Sequence, residues 1–209
     1  MGALKRRSSA IVVFAVVACT ALVLSLAPAS AFDPNGNVYW FDYNVDATTH
    51  MKTLNSDIVI KGGRFMGGID FGTGELRGSI TLPATTFSYP AGALGLVTAT
   101  AKIVPTKPVT GMVDLNTLTV TATSSFNIRI VSAYAAGTTS PNLVGDFCRT
   151  STPVTVTMSG AASLGEASTF SGEFTMPKLI YCGFAQTQAL NLVMAGPGNT
   201  FTATAPPRG

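Results

Sequence analysis

The segment Thr117-Leu118-Thr119-Val120-Thr121-Ala122-Thr123 alternates apolar side chains with threonines along its whole length. A period of two predicts a β-strand with one face in a core and the other in water. Threonine suits the outer face, because its branched Cβ fits a pleated strand and its hydroxyl bonds to water. Similar patterns occupy the ranges 76–82, 97–103, 126–130, 154–158 and 170–176, with further strand candidates at Val38–Val45 and Asp57–Ile60.

Short turn signals separate these segments. They are Gly62-Gly63, Gly67-Gly68, Gly72-Thr73-Gly74, Asp114–Thr117 and Gly196-Pro197-Gly198-Asn199. Short, evenly spaced strands predict an all-β fold, either an antiparallel β-sandwich or a small barrel. Phe184–Met194 is the best helix candidate, although Ala189–Met194 is equally compatible with a strand.

Three pairs of segments in the chain have similar sequences. Gly78–Pro83 is similar to Gly172–Pro177, and Ile69–Thr73 is similar to Val113–Thr117, while Thr98–Ala101 is similar to Thr202–Ala205. No single period fits these similarities, so they indicate either duplicated strand–turn units or Thr-rich strands that resemble one another. Each proline is expected to end its strand, because proline has no N–H to donate.

The N-terminus has the pattern of a secretory signal peptide. Lys5-Arg6-Arg7 precedes an apolar run from Ala10 to Leu26, and Ala29-Ser30-Ala31 forms an A-x-A site. We expect cleavage between Ala31 and Phe32, which leaves residues 32–209 as a single β domain. The alternatives are a retained membrane anchor and a lipoprotein acylated at Cys19, since Val16-Val17-Ala18-Cys19 is similar to a lipobox.

Charge is scarce in this chain. Charged residues are 11% of the 209 residues, and loss of the three basic leader residues leaves ten basic and ten acidic ones. No run of Lys or Arg remains, so we expect no nucleic-acid partner. Because the strand faces are rich in threonine, we also expect no integral membrane protein after signal cleavage.

The expected exported chain keeps two cysteines, Cys148 and Cys182. An even pair in an exported protein predicts a disulfide. These two cysteines with a distant histidine are too few for a metal site. Asp33-Pro34-Asn35-Gly36-Asn37 offers oxygens as a calcium loop does, but Val38 stands where that loop needs glycine, so we interpret it as a turn. We therefore predict no metal and no cofactor.

Catalytic candidates are few. His50 is the only histidine and lies in a predicted strand, without a G-x-S-x-G motif anywhere in the chain. A glycosidase would need two carboxylates across a cleft, and the candidates are Asp70, Glu75, Asp114, Asp146, Glu166 and Glu173. Asp70 and Asp114 lie in turns, where a carboxylate commonly accepts backbone N–H bonds. We assign no catalytic residue, and we expect Trp40 and its aromatic neighbours to belong to a core.

About the last 70 residues contain the motifs Asp146-Phe147-Cys148-Arg149, Tyr181-Cys182-Gly183 and Gly196-Pro197-Gly198-Asn199-Thr200. With these motifs, the C-terminal part resembles a group of exported β-rich proteins of actinobacteria. The resemblance implies export to the cell envelope and a Cys148–Cys182 disulfide, and it implies no particular activity.

Three functions follow as hypotheses. The first is a non-enzymatic extracellular or cell-envelope protein that binds or scaffolds an envelope component. The second is a carrier of a lipid or another apolar small molecule, which predicts a dry cavity inside a barrel or curved sheet. The third is a secreted hydrolase, which needs two carboxylates, or His50 and a serine, in one cleft.

Overall fold

A computed structural model describes residues 37–92, 95–163 and 165–208. The expected signal peptide, its cleavage site, Cys19 and most of the loop at residues 33–37 lie outside these residues. In chain order the elements are β1 (Val38–Met51), β2 (Ser56–Asp70), β3 (Glu75–Thr81), β4 (Thr85–Pro90), β5 (Leu96–Pro105), β6 (Val109–Asp114), β7 (Thr119–Ala135), β8 (Arg149–Thr150), β9 (Val154–Ala161), β10 (Ser168–Met176), β11 (Leu179–Ile180), α1 (Phe184–Met194) and β12 (Gly196–Ala205).

Eight of the strands close into an antiparallel barrel. Their order around the barrel is β7-β6-β3-β2-β1-β12-β10-β9, and β9 pairs with β7 to complete the circle. The predicted all-β fold is therefore confirmed, and of the two architectures considered the chain adopts the barrel. In the described part of the chain, no helix is long and apolar enough to cross a membrane.

The remaining strands form an extension of this sheet, which we call the wing. β7 is 17 residues long and changes partners at Phe126. Before Phe126 it pairs with β6 and β9 in the barrel, and from Phe126 onward it pairs with β5 and, at Arg129, with β8. β4 pairs with β5, and β11 pairs with β8, so the wing has the order β4-β5-β7-β8-β11.

The two ends of the barrel differ in how the strands are connected. One end, which we call the turn end, carries the β2–β3, β6–β7 and β9–β10 hairpin connections. The other, the capped end, carries the wing and α1, which are inserted between barrel strands. At the capped end, Cys148 and Cys182 form a disulfide with their Cα atoms 4.2 Å apart, as the sequence predicted.

Each end has its own hydrophobic core. The capped-end core joins the wing, α1 and the adjoining part of the barrel. It includes Tyr89, Ile130, Val154, Met176 and Leu190. The turn-end core is smaller and includes Ile69, Leu76, Val113 and Val120, with half-buried phenylalanines packed against it. Two separate clusters inside one barrel leave a region between them that neither core fills.

Several sequence predictions are corrected by the fold. Gly62-Gly63 and Gly67-Gly68 are not turns, since both lie inside β2, and Gly62 forms a bulge with a φ of 76°. The Gly196–Asn199 segment begins β12 instead of forming a turn. Leu118 belongs to the β6–β7 turn, with a φ of 55°, and not to the inner face of a strand. Residues 119–122 and 126–130 belong to one strand, β7, and β4, β6, β8 and β11 were not predicted.

Other predictions are confirmed. Gly72–Gly74 and the segment after Asp114 are turns, and Phe184–Met194 is the helix α1. β3 and β10 end before Pro83 and Pro177, as expected of residues that cannot donate to a ladder.

Candidate functional site

The region between the two cores is a cavity of about 170 Å³ inside the barrel. Every strand of the barrel contributes to its walls, and β6 contributes Val109. At the capped end, Phe87 of β4 and Met194 of α1 also line the cavity. All lining residues are apolar apart from Thr49, Thr85 and Ser124. A cavity of this chemistry stays dry and favours an apolar occupant.

One side of the cavity is especially poorly packed. Val45, Ile60, Ala203 and Ala205 are buried and apolar, yet they belong to neither core cluster. They lie on β1, β2 and β12, which are neighbours in the barrel. The two alanines leave the space that larger side chains would occupy, so this wall gives the cavity its volume.

Glycines of the inner wall let phenylalanine rings lie flat against the backbone. A Cβ at Gly78 would stand 2.6 Å from the Phe65 ring, and one at Gly172 would stand 2.8 Å from the Phe201 ring. Both rings line the cavity. Glycine in a strand commonly marks such a close approach or a sharp bend in a barrel wall. Here the glycines make room for aromatic rings that line the cavity.

The cavity wall also contains three methionines, Met51, Met158 and Met194. Methionine has three rotatable bonds and no branch, so it adapts to occupants of different shape. The Thr85 hydroxyl donates to the Val59 carbonyl at 2.9 Å, so this polar atom is already used by the protein. The wall therefore offers adaptable apolar contact and little polar recognition.

Among the residues that the structure describes, no ionisable side chain lines the cavity. Tyr89 lies behind the lining residue Phe87, with their ring centroids 6.0 Å apart. Burial raises the pKa of the Tyr89 phenol. The electrostatic environment of the cavity is that of a hydrocarbon, which suits binding of an uncharged molecule.

His50 lies at the outside of the capped end, away from the cavity lining. Its Nδ1 lies 2.8 Å from Asp57 Oδ1, and both side chains are exposed. The two residues are register partners on β1 and β2, so the hydrogen bond follows from strand pairing. A nucleophilic triad needs a hydroxyl on the other ring nitrogen. In the described residues, no serine or threonine hydroxyl is hydrogen-bonded to His50.

Among the described residues, none of the six candidate carboxylates lines the barrel cavity. Asp70 and Asp114 serve their turns: Asp70 Oδ1 accepts from Gly72 N at 2.7 Å, and Asp114 Oδ1 accepts from Asn116 N at 2.9 Å. This confirms the structural role predicted for both. The hydrogen bonds from the Asn116 N–H and Thr117 lower the pKa of Asp114.

Of the other candidates, Glu75 pairs with Arg77 at 2.6 Å, and Asp146, Glu166 and Glu173 are exposed. Across residues 37–92, 95–163 and 165–208, no group of three His, Cys, Asp or Glu side chains could hold a metal ion.

The core assignment of Trp40 is wrong. Trp40 is 58% exposed on the outer face of β1, although its neighbour Phe41 packs against the turn-end core. Strand alternation could have shown this, because Trp40 and Asp42 share a face and Phe41 and Val45 share the other. The cavity itself was expected by the carrier hypothesis, but its lining residues could not be named from the sequence.

Comparisons of the chain with protein-family models, with curated proteins and with solved structures each found no significant match. The resemblance to exported actinobacterial proteins therefore stays a prediction.

Proposed function

We propose that this protein is an exported, non-enzymatic binding protein that carries a small apolar molecule inside its barrel. The observation that supports the proposal most is the dry cavity of about 170 Å³ between the two cores. An engineered cavity of about 150 Å³ in another protein binds benzene or xenon. A ring or a short alkyl segment is therefore the size of occupant that fits without movement of the walls.

The lining supports binding in preference to catalysis. Chemistry on a ligand needs charged or nucleophilic groups within hydrogen-bond reach of it. The described lining residues provide only the hydroxyls of Thr49, Thr85 and Ser124 as polar side-chain groups. Longer lipids would need rearrangement of Met51 and Met194, the flexible side chains towards the capped end.

A scaffold without an internal ligand is the second candidate. It is favoured by the outer strand faces, where exposed threonines such as Thr119, Thr121, Thr155 and Thr157 present neutral hydroxyls. Such a surface adheres through hydrogen bonds and not through charge. In this alternative the cavity is only a packing defect.

The test uses benzene as the probe and the whole exported chain. We expect saturating benzene to raise the melting temperature, because a ligand that binds only the folded state stabilises it. Ala203→Leu places three more carbons in the poorly packed wall and should abolish this benzene-dependent rise. Thr204→Leu is the matched control, since Thr204 is the next residue of β12 and is exposed on the opposite face.

Two results would contradict the carrier proposal. One is an unchanged melting temperature of the original chain at saturating benzene. The other is an equal benzene response in Ala203→Leu, which would place the probe outside the cavity. The intact mass of the protein secreted by its native host tests export separately, because cleavage of the leader predicts a chain that begins at Phe32. The same mass should be two hydrogens lower than that of the reduced chain if the disulfide has formed.

A further inference from the structure

The outer face of the wing carries a row of positive charges. Lys102 of β5 is the register partner of Arg129 of β7, and Arg129 is the register partner of Arg149 of β8. Direct cross-strand partners project from the same face of a sheet, and neighbouring strands lie about 4.8 Å apart. Three cations therefore lie side by side, and all three side chains are exposed.

These cations have no carboxylate partners in the described residues, where the ion pairs are His50–Asp57, Arg64–Asp42 and Arg77–Glu75. Arg129 instead donates to the backbone carbonyl of Asp146 at 3.1 Å. Asp146 is the acidic residue beside the row, and its carboxylate forms no ion pair with the row. Like charges directly opposite one another destabilise a sheet. Repulsion within the row therefore opposes folding, and the row is suited to binding an external anion.

Three exposed aromatic side chains lie next to this row. Phe147 is 74% exposed, Tyr181 is 64% exposed and Phe184 is 85% exposed. Phe147 and Tyr181 each precede a cysteine of the disulfide, whose Cα atoms are 4.2 Å apart, and Phe184 begins α1. Arg129 donates to the carbonyl of Asp146, the residue before Phe147, and Arg149 follows Cys148, so the charged and the aromatic residues are neighbours in the fold.

Both halves of this surface match an anionic bilayer. Basic side chains are attracted to the negative surface potential of acidic lipids. Exposed aromatic side chains enter the boundary between headgroups and acyl chains, where apolar area is buried. A soluble anionic polymer would use the charges but would gain little from Phe147 and Phe184.

We propose that the wing face formed by Lys102, Arg129, Arg149, Phe147, Tyr181 and Phe184 docks the protein onto an anionic lipid bilayer. This inference goes beyond the carrier proposal and does not depend on an occupant of the cavity. Docking would place the capped end, where Met194 lines the cavity, close to the acyl chains.

The experiment is co-sedimentation of the exported chain with vesicles of phosphatidylglycerol or of phosphatidylcholine at low salt. We expect binding to phosphatidylglycerol, little binding to phosphatidylcholine and release of the bound protein by high salt. Lys102→Gln with Arg149→Gln should weaken partitioning roughly 25-fold, since each surface charge is worth roughly fivefold. The charge-matched control is Lys52→Gln with Lys61→Gln, two exposed lysines of which Lys52 follows β1 and Lys61 lies in β2.

The contribution of the exposed aromatic side chains to vesicle binding is tested with a separate pair of alanine substitutions. Phe147→Ala with Phe184→Ala should weaken vesicle binding about tenfold and leave its salt dependence in place. Met66→Ala with Met112→Ala is the control for loss of exposed apolar area, because both methionines are exposed on barrel strands. Thermal unfolding of each variant checks that it folds.

Three outcomes would overturn the docking proposal. The first is absence of binding to phosphatidylglycerol vesicles, and the second is an equal effect of the wing and control charge substitutions. The third is full vesicle binding by the Phe147→Ala, Phe184→Ala variant together with displacement of the protein from vesicles by polyphosphate. The last outcome would identify a soluble anionic polymer as the partner. Ala203→Leu should bind vesicles normally, so failure of the carrier proposal and failure of the docking proposal are distinguishable.

Discussion

The turn end and the capped end of the barrel are stabilised by different kinds of interaction. At the turn end, neighbouring strands are joined by short connections, and Asp70 and Asp114 each bind a backbone N–H two residues further on. At the capped end, a disulfide and α1 join segments that are distant in the chain. The first end is encoded by local sequence and the second by contacts across long sequence distances.

This difference has a consequence for the cavity. Each end forms a complete core of its own, so the space between them is not needed by either. Side chains such as Val45 and Ala203 face that space without joining either cluster. An empty centre is therefore tolerated because stability is supplied at both ends.

The largest effect is expected from the disulfide of the capped end. Replacement of Cys148 and Cys182 by serine should lower the free energy of unfolding by about 3–4 kcal/mol, because the bridge spans 34 residues of sequence and restricts the unfolded chain. Guanidinium unfolding under oxidising conditions measures this. Reduction of the original chain is the control, and an unfolding midpoint that does not move in the double variant would show that α1 and the wing hold the capped end without it.

A smaller effect is expected at the inner wall of the barrel. Gly78→Ala would place a Cβ 2.6 Å from the Phe65 ring and 2.7 Å from the Met66 carbonyl oxygen, so the wall must shift. We expect a loss of about 1–3 kcal/mol in urea unfolding. Ser79→Ala, which changes the adjacent residue on the other face of β3, should change stability far less. Equal effects of both substitutions would mean that the glycine is not needed for ring packing.

The attachment of α1 gives the next effect. Asn191 Oδ1 accepts from Leu179 N at 2.6 Å, and Asn191 Nδ2 donates to Leu179 O at 2.9 Å. Asn191→Ala leaves both backbone groups of β11 without these partners and should cost about 1–2 kcal/mol. Hydrogen exchange should then be faster in α1 and β11 and unchanged in the β2–β3 hairpin. Uniformly faster exchange would show that the two ends unfold as one unit.

The smallest effect concerns acid stability at the turn end. The folded-state pKa of Asp114 is lowered, chiefly by the Asn116 N–H and the Thr117 hydroxyl, so its contribution to stability is present near neutral pH. As the pH falls below about 4, the unfolded chain takes up the proton first and that contribution is lost. Asp114→Asn keeps an oxygen for the turn and should show a smaller decrease in urea midpoint from pH 7 to pH 3. The same decrease in both proteins would contradict this assignment.

Much of the barrel was predictable because alternation reports burial directly. Val120 and Ala122 face inward and Thr121 faces outward, as the opening segment indicates. The glycine pairs of β2 were misread, since glycine serves equally in a turn and beneath an aromatic ring. Only the neighbouring strand decides between the two, and the sequence does not identify that neighbour.

The cavity and the wing surface were less predictable for the same reason. The cavity depends on Val45 and Ile60 of the β1–β2 hairpin lining the same wall as Ala203 of β12, a strand that is far from them in the chain. The positive row depends on the pairing of Lys102, Arg129 and Arg149, which are isolated charges in the sequence. The disulfide was predictable because the predicted removal of the leader leaves two cysteines, which allow one pairing.

The pairing pattern also has a consequence for self-association. Each barrel strand has a partner on both sides, so the barrel has no free edge. Among the described strands, free edges remain at β4 and β11 of the wing. β11 has two residues, and β4 has six and ends at Pro90, which cannot donate a hydrogen bond. Copies of this protein therefore have little exposed backbone through which to add strand to strand, which protects the protein from aggregation at high concentration.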